Sequence, residues 1–447
     1  TLDQALSLVK VEYESLPALH DPFKAMEETD VKIHSRGNVA FKVKKVYGDI
    51  QAGFNNADII IDNTYRTSKQ KHAALEPFGT CVAHYQANGK LTVYSSTQLP
   101  HWSRHYLAGA LELPLNRVRV IKPHTGGSFG GRCGLIHGLE VMCAWLSRRT
   151  GRPVRMAFTR EEDFIATETR HPMTISMKTG ATRDGLITAN EVEIVSDVGG
   201  YGTHYIGVIA DCLSTGVGLY KIPNYSFSAT AVFTNKSLCG ALRGYGNPQM
   251  NFAQESQMDI IAEKLRMDPL ELRLKNYRQL GEIDPVLNEE IRSNGLQECL
   301  EKGAKSSGWQ KKRHPTPIKG TRKRGIGLSV MLHGTGAGKA LPDPAAATVM
   351  INADGSVNLV TAAADEGQGN RTVLAQIASE TLGIEFDKIS VSETDTETTP
   401  LDCGTHGSRQ AYSGGLAVKA AATEARKKLL AYAKKELGIN EAQLRIK

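Results

Sequence analysis

The chain has 447 residues, 40% of them apolar, and a net charge of +7, which is enough material for two or three domains with cores of their own. It contains no apolar run of about eighteen residues and no basic-then-apolar leader, so neither a membrane helix nor an export signal is visible and a cytoplasmic protein is expected. The densest basic stretch, 311–324, has no interleaved aromatics or recognition motif, so nucleic acid is not an expected partner.

Residues 1–68 alternate short β-rich stretches (Val9–Tyr13, Val39–Val46, Ala57–Tyr65) with a helical Pro22–Glu28, a core too small to stand without the rest. From 69 to 310, strands are expected at Leu91–Ser96, Val118–Lys122, Val154–Phe158, Met173–Thr179 and Asn190–Val195. Helices are expected at Trp102–Leu111, Ile136–Arg149 and Asn251–Leu265. Another should start at Met267, because Asp268 can cap it and Pro269 sits where its missing N–H costs nothing. The basic stretch 311–324 reads as a linker. Beyond it come strands at Gly325–Leu332, Ala346–Ile351, Val357–Ala362 and Lys388–Ser392, with helices at Thr372–Leu382 and Gly415–Leu437. The fold class expected is α+β, with mixed sheets and helices packed on one face. Both ends read as cut from something longer: a helix under way at Thr1 and a strand beginning at Leu444.

Seven cysteines, at 81, 133, 143, 212, 239, 299 and 403, form no CxxC pair. That pattern suits a reducing compartment and supplies neither a zinc site nor an iron–sulfur cluster. The chemistry sits instead in glycine-punctuated loops. Thr125-Gly-Gly-Ser-Phe-Gly-Gly131 lies between a strand and a helix, where free N–H groups and the helix dipole favour an anion. It lacks the dinucleotide GxGxxG spacing. Arg243-Gly-Tyr-Gly-Asn-Pro-Gln249 and Asp365-Glu-Gly-Gln-Gly369 also strip side chains from the backbone, and Gln368 can both donate and accept. Thr405-His-Gly-Ser-Arg-Gln410 adds hydroxyl and amide groups before the last helix. Taken singly, each is equally an ordinary turn or helix cap. His333-Gly-Thr-Gly-Ala-Gly-Lys339 fails as a phosphate loop, since the first glycine is replaced by His333 and Ala340 carries no hydroxyl. Gln70, His72 and Glu76 could face a cation, but a structural His72–Glu76 pair explains the spacing better.

In order along the chain, Gln70…Glu76-Pro77, Gly126–Gly131, Arg243–Gln249, Asp365–Gly369 and Thr405–Gln410 resemble the molybdenum-binding subunit of the xanthine dehydrogenase (molybdenum hydroxylase) family. In style the 4-hydroxybenzoyl-CoA reductase and nicotinate dehydrogenase branches are nearest. The resemblance implies the end of an α/β hammerhead domain over 1–68, a first molybdopterin-binding domain over 69–310, the linker 311–324, and the start of a second molybdopterin-binding domain over 325–447. By motif, Gln70 would position a ligand of molybdenum. Gly127, Ser128, Phe129 and Gly130 would lie beside the metal, and Arg243 and Gly244 against the pterin. Gly367, Gln368, Thr405, Gly407, Ser408 and Gln410 would hold the pterin and its phosphate. The metal would be held by the pterin dithiolene, with no protein ligand.

The cofactor implied is molybdopterin, as the cytosine dinucleotide, serving hydroxylation or reduction of an aromatic, N-heterocyclic or aldehyde substrate with water as oxygen source. Electrons would pass to [2Fe–2S] and FAD centres on partner subunits, in a dimer of heteromers. The family's general base, a glutamate in a Gly-Glu motif, has no counterpart here: Gly281-Glu282 lies in the wrong region. A C-terminal molybdopterin-binding portion would have to supply it. The substrate pocket would be lined by Cys133, Asp211 and Tyr245, where the purine-oxidising branch has glutamate, arginine and phenylalanine, so xanthine itself is not the expected substrate. The alternatives are a non-catalytic structural segment of such a complex, or a nucleotide-binding enzyme using the glycine loops for phosphate.

Overall fold

The computed structural model describes residues 1–447 except 28, 135–137, 286–287, 314–320, 337–341, 439, 441–443 and 445–447. In chain order the strands are β1 (Val39–Tyr47), β2 (Ile59–Arg66), β3 (Cys81–Tyr85), β4 (Leu91–Ser95), β5 (Val118–Ile121), β6 (Val154–Met156), β7 (Met173–Ala181), β8 (Ile187–Gly199) and β9 (Tyr225–Phe233). The short β10 (Ile283–Asp284) and β11 (Glu289–Glu290), then β12 (Ala347–Ile351), β13 (Val357–Thr361) and β14 (Ile389–Val391), complete the set.

The largest sheet has the order β1-β9-β8-β7-β2, antiparallel except for the parallel β8–β9 pair. Its edges, β1 and β2, come from the first 68 residues, while its centre comes from 173–233. Alternate residues of β7, Met173, Ile175 and Met177, are buried beneath the helices Tyr205–Gly218 and Asn247–Leu265 in one apolar core. A second mixed sheet, β5-β4-β3-β6, packs on the helices Pro100–Ala110 and Leu139–Thr150 around Leu91, Val93, Leu107 and Val120. A third, β12-β13-β14, packs Leu359 against Leu374, Ala378 and Val418 of the helices Asn370–Leu382 and Gly415–Leu437. The arrangement is the expected α+β one of mixed sheets and helices.

Local chemistry accounts for the helix starts. The Asp268 carboxylate accepts from Leu270 N at 2.8 Å with Pro269 in the first turn, and the helix runs Pro269–Asn276 as expected. Three expectations differ. Residues 9–20 form no strand and are exposed almost throughout. Gly325–Leu332 forms no strand and is pinned by Val330 N donating to Glu255 Oε2 at 2.8 Å. The helix expected from Ile136 starts at Leu139, and 135–137 lie outside the described residues. Of the basic linker, 311–313 end a short helix whose Trp309 is buried and hydrogen-bonds Asp268; residues 314–320 lie outside the described residues, as does 337–339 of the rejected phosphate loop.

Candidate functional site

The motif loops follow the ends of β2, β5, β9 and β13, and side chains knit them into one cluster. From the end of β5, buried Lys122 donates through Nζ to Pro123 O (3.0 Å), Thr125 Oγ1 (2.9 Å) and Asp365 O, tying the first glycine loop to the third. Burial lowers the Lys122 pKa. Phe129 O accepts from Arg243 N at 2.8 Å, joining the first loop to the second. Glycine is required at these joints: a Cβ on Gly130 would stand 2.9 Å from Ala241 O, and one on Gly131 would stand 2.0 Å from the Phe78 ring.

Gln98, buried at 5% exposure, is the hub between the first loop and the 405 segment. Its Oε1 accepts from Ser128 Oγ and from Gly130 N at 3.1 Å, and its Nε2 donates to Thr405 O. Thr405 N returns a bond to Gln98 O at 2.9 Å. Thr405 Oγ1 then donates to Ala364 O at 2.6 Å, which closes the ring of loops on the residue before Asp365.

Gln70 enters through Arg170. The guanidinium donates from Nε to Gln70 Oε1 (3.0 Å), from Nη1 to Tyr245 O (3.0 Å) and Gln249 Oε1 (3.1 Å), and from Nη2 to Arg243 O (2.6 Å). The 70–77 segment also lies on the first loop: Gly126 N donates to Glu76 Oε2 at 2.6 Å, and Arg132 pairs with Glu76 at 3.4 Å. His72 Nε2 is instead 2.7 Å from Ala241 O. The expected His72–Glu76 pair therefore gives way to a carboxylate claimed by an amide and a guanidinium. Among the described residues no group of three His, Cys, Asp or Glu side chains could hold a metal ion.

The third loop is shaped by Asp365. Its Oδ1 accepts from Gly367 N (2.9 Å) and Gly369 N (3.4 Å), its Oδ2 from Arg371 N (3.2 Å), which caps the helix Asn370–Leu382. Burial pushes this carboxyl up, and the three N–H groups outweigh it, leaving the pKa below the usual range. Gly367 (φ +107°) and Gly369 (φ +82°) face open space, with nothing within 4 Å of a would-be side chain. Gln368 folds back, Oε1 accepting from Glu366 N at 2.7 Å. Gln410 is buried and spends its Nε2 on Asp402 Oδ1 and Gly404 O, both at 3.0 Å. Gly407 and Ser408 are exposed, Gly407 O accepting from Gly336 N at 2.7 Å. Gly127 and half-exposed Phe129 have positive φ, and Arg243 is exposed beside Gly244.

Of the expected pocket residues, Cys133 and Tyr245 meet in one small apolar cluster with Leu99 and Ala241. Burial pushes both the Cys133 thiol and the Tyr245 phenol well up. Tyr245 OH lies 2.9 Å from His204 Nδ1, and both residues have left-handed backbones. Asp211 turns one carboxylate oxygen to Gly246 N and Asn247 N, each at 3.0 Å, and so caps the helix Asn247–Leu265. Glu366 is pushed up to about 7 by burial, against the pull of Lys122, the Ser128 hydroxyl and Arg132.

Gln98, Lys122, Arg170 and Glu366 were not singled out from the sequence. Only Glu366 lies inside a glycine motif, so only it carried a local signal. A groove of about 580 Å³ between the last two long helices, lined by Ile377, Tyr412, Leu416 and Arg426, contains none of the motif residues.

Residues 33–277 and 302–447 each match a family model described as a molybdopterin cofactor-binding domain. The chain is 35% identical over 436 residues to the putative xanthine dehydrogenase molybdenum-binding subunit of Escherichia coli, covering 97% of this chain and 58% of that one. It is 38% identical over 319 residues to the nicotinate dehydrogenase large molybdopterin subunit of Eubacterium barkeri, covering 70% and 74%. Among solved structures, quinoline 2-oxidoreductase from Pseudomonas putida 86 superposes with a TM-score of 0.89 at 26% identity, over all of this chain and 58% of that one. Aldehyde oxidoreductase from Desulfovibrio gigas superposes with a TM-score of 0.85 at 29% identity, over 94% and 46%. The chain thus spans little more than half the length of the E. coli relative. Five loops converging through Gln98, Lys122 and Arg170, with two family models laid over almost the whole chain, have one reading: the chain belongs to the molybdopterin cofactor-binding family of the xanthine dehydrogenase-type molybdenum hydroxylases.

Proposed function

We propose that the chain is the molybdopterin-binding portion of an oxidoreductase that hydroxylates or reduces an aromatic, N-heterocyclic or aldehyde substrate. The observation that carries it is the hydrogen-bonded closure of five separated loops around Gln98 and Arg170. The residues fit the group. Gly367 and Gly369 hold positive-φ backbone open with no neighbour within 4 Å, Gln70 is exposed with its amide nitrogen unpartnered among the described residues, and Arg243 offers an exposed cation to a phosphate-bearing ligand. When bound, the molybdenum cofactor supplies the two-electron redox chemistry and draws the transferred oxygen from water.

What the chain does is grip and orient. Gln70 directs an amide donor toward a ligand of the metal. Phe129 and Gly130 set the wall beside it, and Arg243 and Gly244 the pterin side. Gly367, Gln368, Thr405, Gly407 and Ser408 form the remaining rim, and buried Gln410 braces it through Asp402 and Gly404. Cys133 and Tyr245, packed in one apolar cluster with Leu99 and Ala241, would give the substrate a neutral, largely apolar wall, which suits an uncharged ring better than a purine held by paired charges. The quinoline and aldehyde activities named for solved neighbours agree in kind. The cofactor form is the cytosine dinucleotide, and an iron–sulfur subunit and an FAD subunit take the electrons, in a cytoplasmic dimer of heteromers. A further C-terminal portion carries the general base.

The test is metal and pterin analysis of the complex purified from its source: about one molybdenum and one pterin per chain is expected. A full assembly without either sinks the reading in favour of a structural segment, and magnesium-dependent nucleotide binding would favour a nucleotide enzyme.

A further inference from the structure

Arg170 is 6% exposed, and its guanidinium is hydrogen-bonded to acceptors throughout: two carbonyl oxygens and two glutamine amides. A guanidinium only donates, so the amide atom of Gln70 facing its Nε must be the oxygen. The Gln70 NH2 is then the end left to the exposed side, where no described residue partners it. The backbone reinforces this aim, because Arg170 N donates to Gln70 O at 2.9 Å. The other three bonds fix the guanidinium to Arg243, Tyr245 and Gln249, so its plane cannot turn without releasing the second glycine loop. Burial lowers the Arg170 pKa to about 10, still well above neutrality, so the fork stays charged.

We infer that Arg170 is a positioning residue that locks the Gln70 amide with its NH2 toward the molybdenum cofactor. The inference rests on the functional reading above and adds a role for a residue outside every motif. Lysine at 170 would keep the charge but, as a single point donor, could not hold Gln70, Gln249 and two carbonyls at once.

The complete complex would be prepared as wild type, Gln70→Leu, Arg170→Lys and the double variant, and compared by molybdenum content, by the paramagnetic Mo(V) resonance after partial dithionite reduction, and by melting temperature. Arg170→Lys should retain molybdenum within twofold of wild type and shift the Mo(V) resonance in the direction that Gln70→Leu does. The double variant should match Gln70→Leu alone in its Mo(V) resonance, because on the metal side the two residues act through one contact, the other three Arg170 bonds going to the second glycine loop on the pterin side. A wild-type resonance in Arg170→Lys, or shifts that add in the double variant, overturns the inference while leaving the functional reading intact. A wild-type complex without molybdenum overturns both. If Arg170→Lys fails to accumulate, Gln70→Glu tests the same contact. Its carboxylate should pair with Arg170, melt no lower than wild type and give the Gln70→Leu resonance; a melting point several degrees lower overturns the inference.

Discussion

Arg409 is fully buried, and its guanidinium reaches Asp402, Asp343 and the carbonyls of Gly404, Asp343 and Pro344. Like Arg170 and Arg132, it spends charge inside the protein to hold irregular backbone that sheets and helices cannot satisfy. Glu366 is the counter-case, a carboxyl whose two oxygens are shielded from solvent beside the Ser128 hydroxyl, which also hydrogen-bonds Gln98. Its folded pKa of about 7 exceeds the unfolded value, so the fold favours the protonated form. The stability this contributes is complete below about pH 4.5 and is lost as the pH rises through 7. Glu366→Gln, neutral at every pH, should therefore gain on wild type between pH 5 and 8, approaching about 3 kcal/mol in cofactor-free protein. A melting-temperature difference that stays flat over that range refutes it. Gly131→Ala should cost about 1–3 kcal/mol by thermal unfolding, since the new methyl drives into the Phe78 ring that carries the Arg132 guanidinium. The glycine motifs were legible because each concentrates its signal in a few neighbouring residues. Arg170 and Gln98 were not, because their partners lie far off in sequence.

Caps recur among the elements, and two of them are borrowed. The helices Asn247–Leu265 and Asn370–Leu382 begin with N-cap glycines that have no side chain to offer, and Asp211 and Asp365 reach in instead. Asp365→Ala should lower stability by about 1–2 kcal/mol, and amide exchange should accelerate at 367–371 more than in the middle of its helix. Equal protection at 367–371 would argue against the cap. Helices whose signals were local, such as Pro269–Asn276 and Gly415–Leu437, were readable from the sequence. Tyr205–Gly218 was not: it is apolar around most of its surface and rich in Gly, Ser and Thr, so it shows neither a helical stripe nor helix-forming residues. Gly325–Leu332 misled in the opposite way, since its composition suits a strand but its hydrogen bond goes to a helix carboxylate.

Across the whole molecule, the two domain models meet at the loop cluster, where Lys122 and Gln98 of the first region bind Asp365 and Thr405 of the second. Stripping the cofactor should therefore raise amide exchange at 126–131 and 365–371 together, while the core strand β7 keeps its protection. Loss confined to one loop would show that the two are not coupled through a shared ligand. The α+β class could be read from alternating patterns, whereas the sheet partners could not. Val39 pairs with Val232 and Ile59 with Ala181, and pairing over such separations leaves no trace in local periodicity.

That distant pairing governs how the chain is born. During synthesis, β1 waits for 193 further residues before Val232 leaves the ribosome, a delay of roughly 10–40 s at 5–20 residues per second. For that interval the nascent polypeptide carries a β-prone stretch with no mate. The lysines at 42, 44 and 45 stand there as like charges that discourage a neighbouring ribosome's product from pairing with it first.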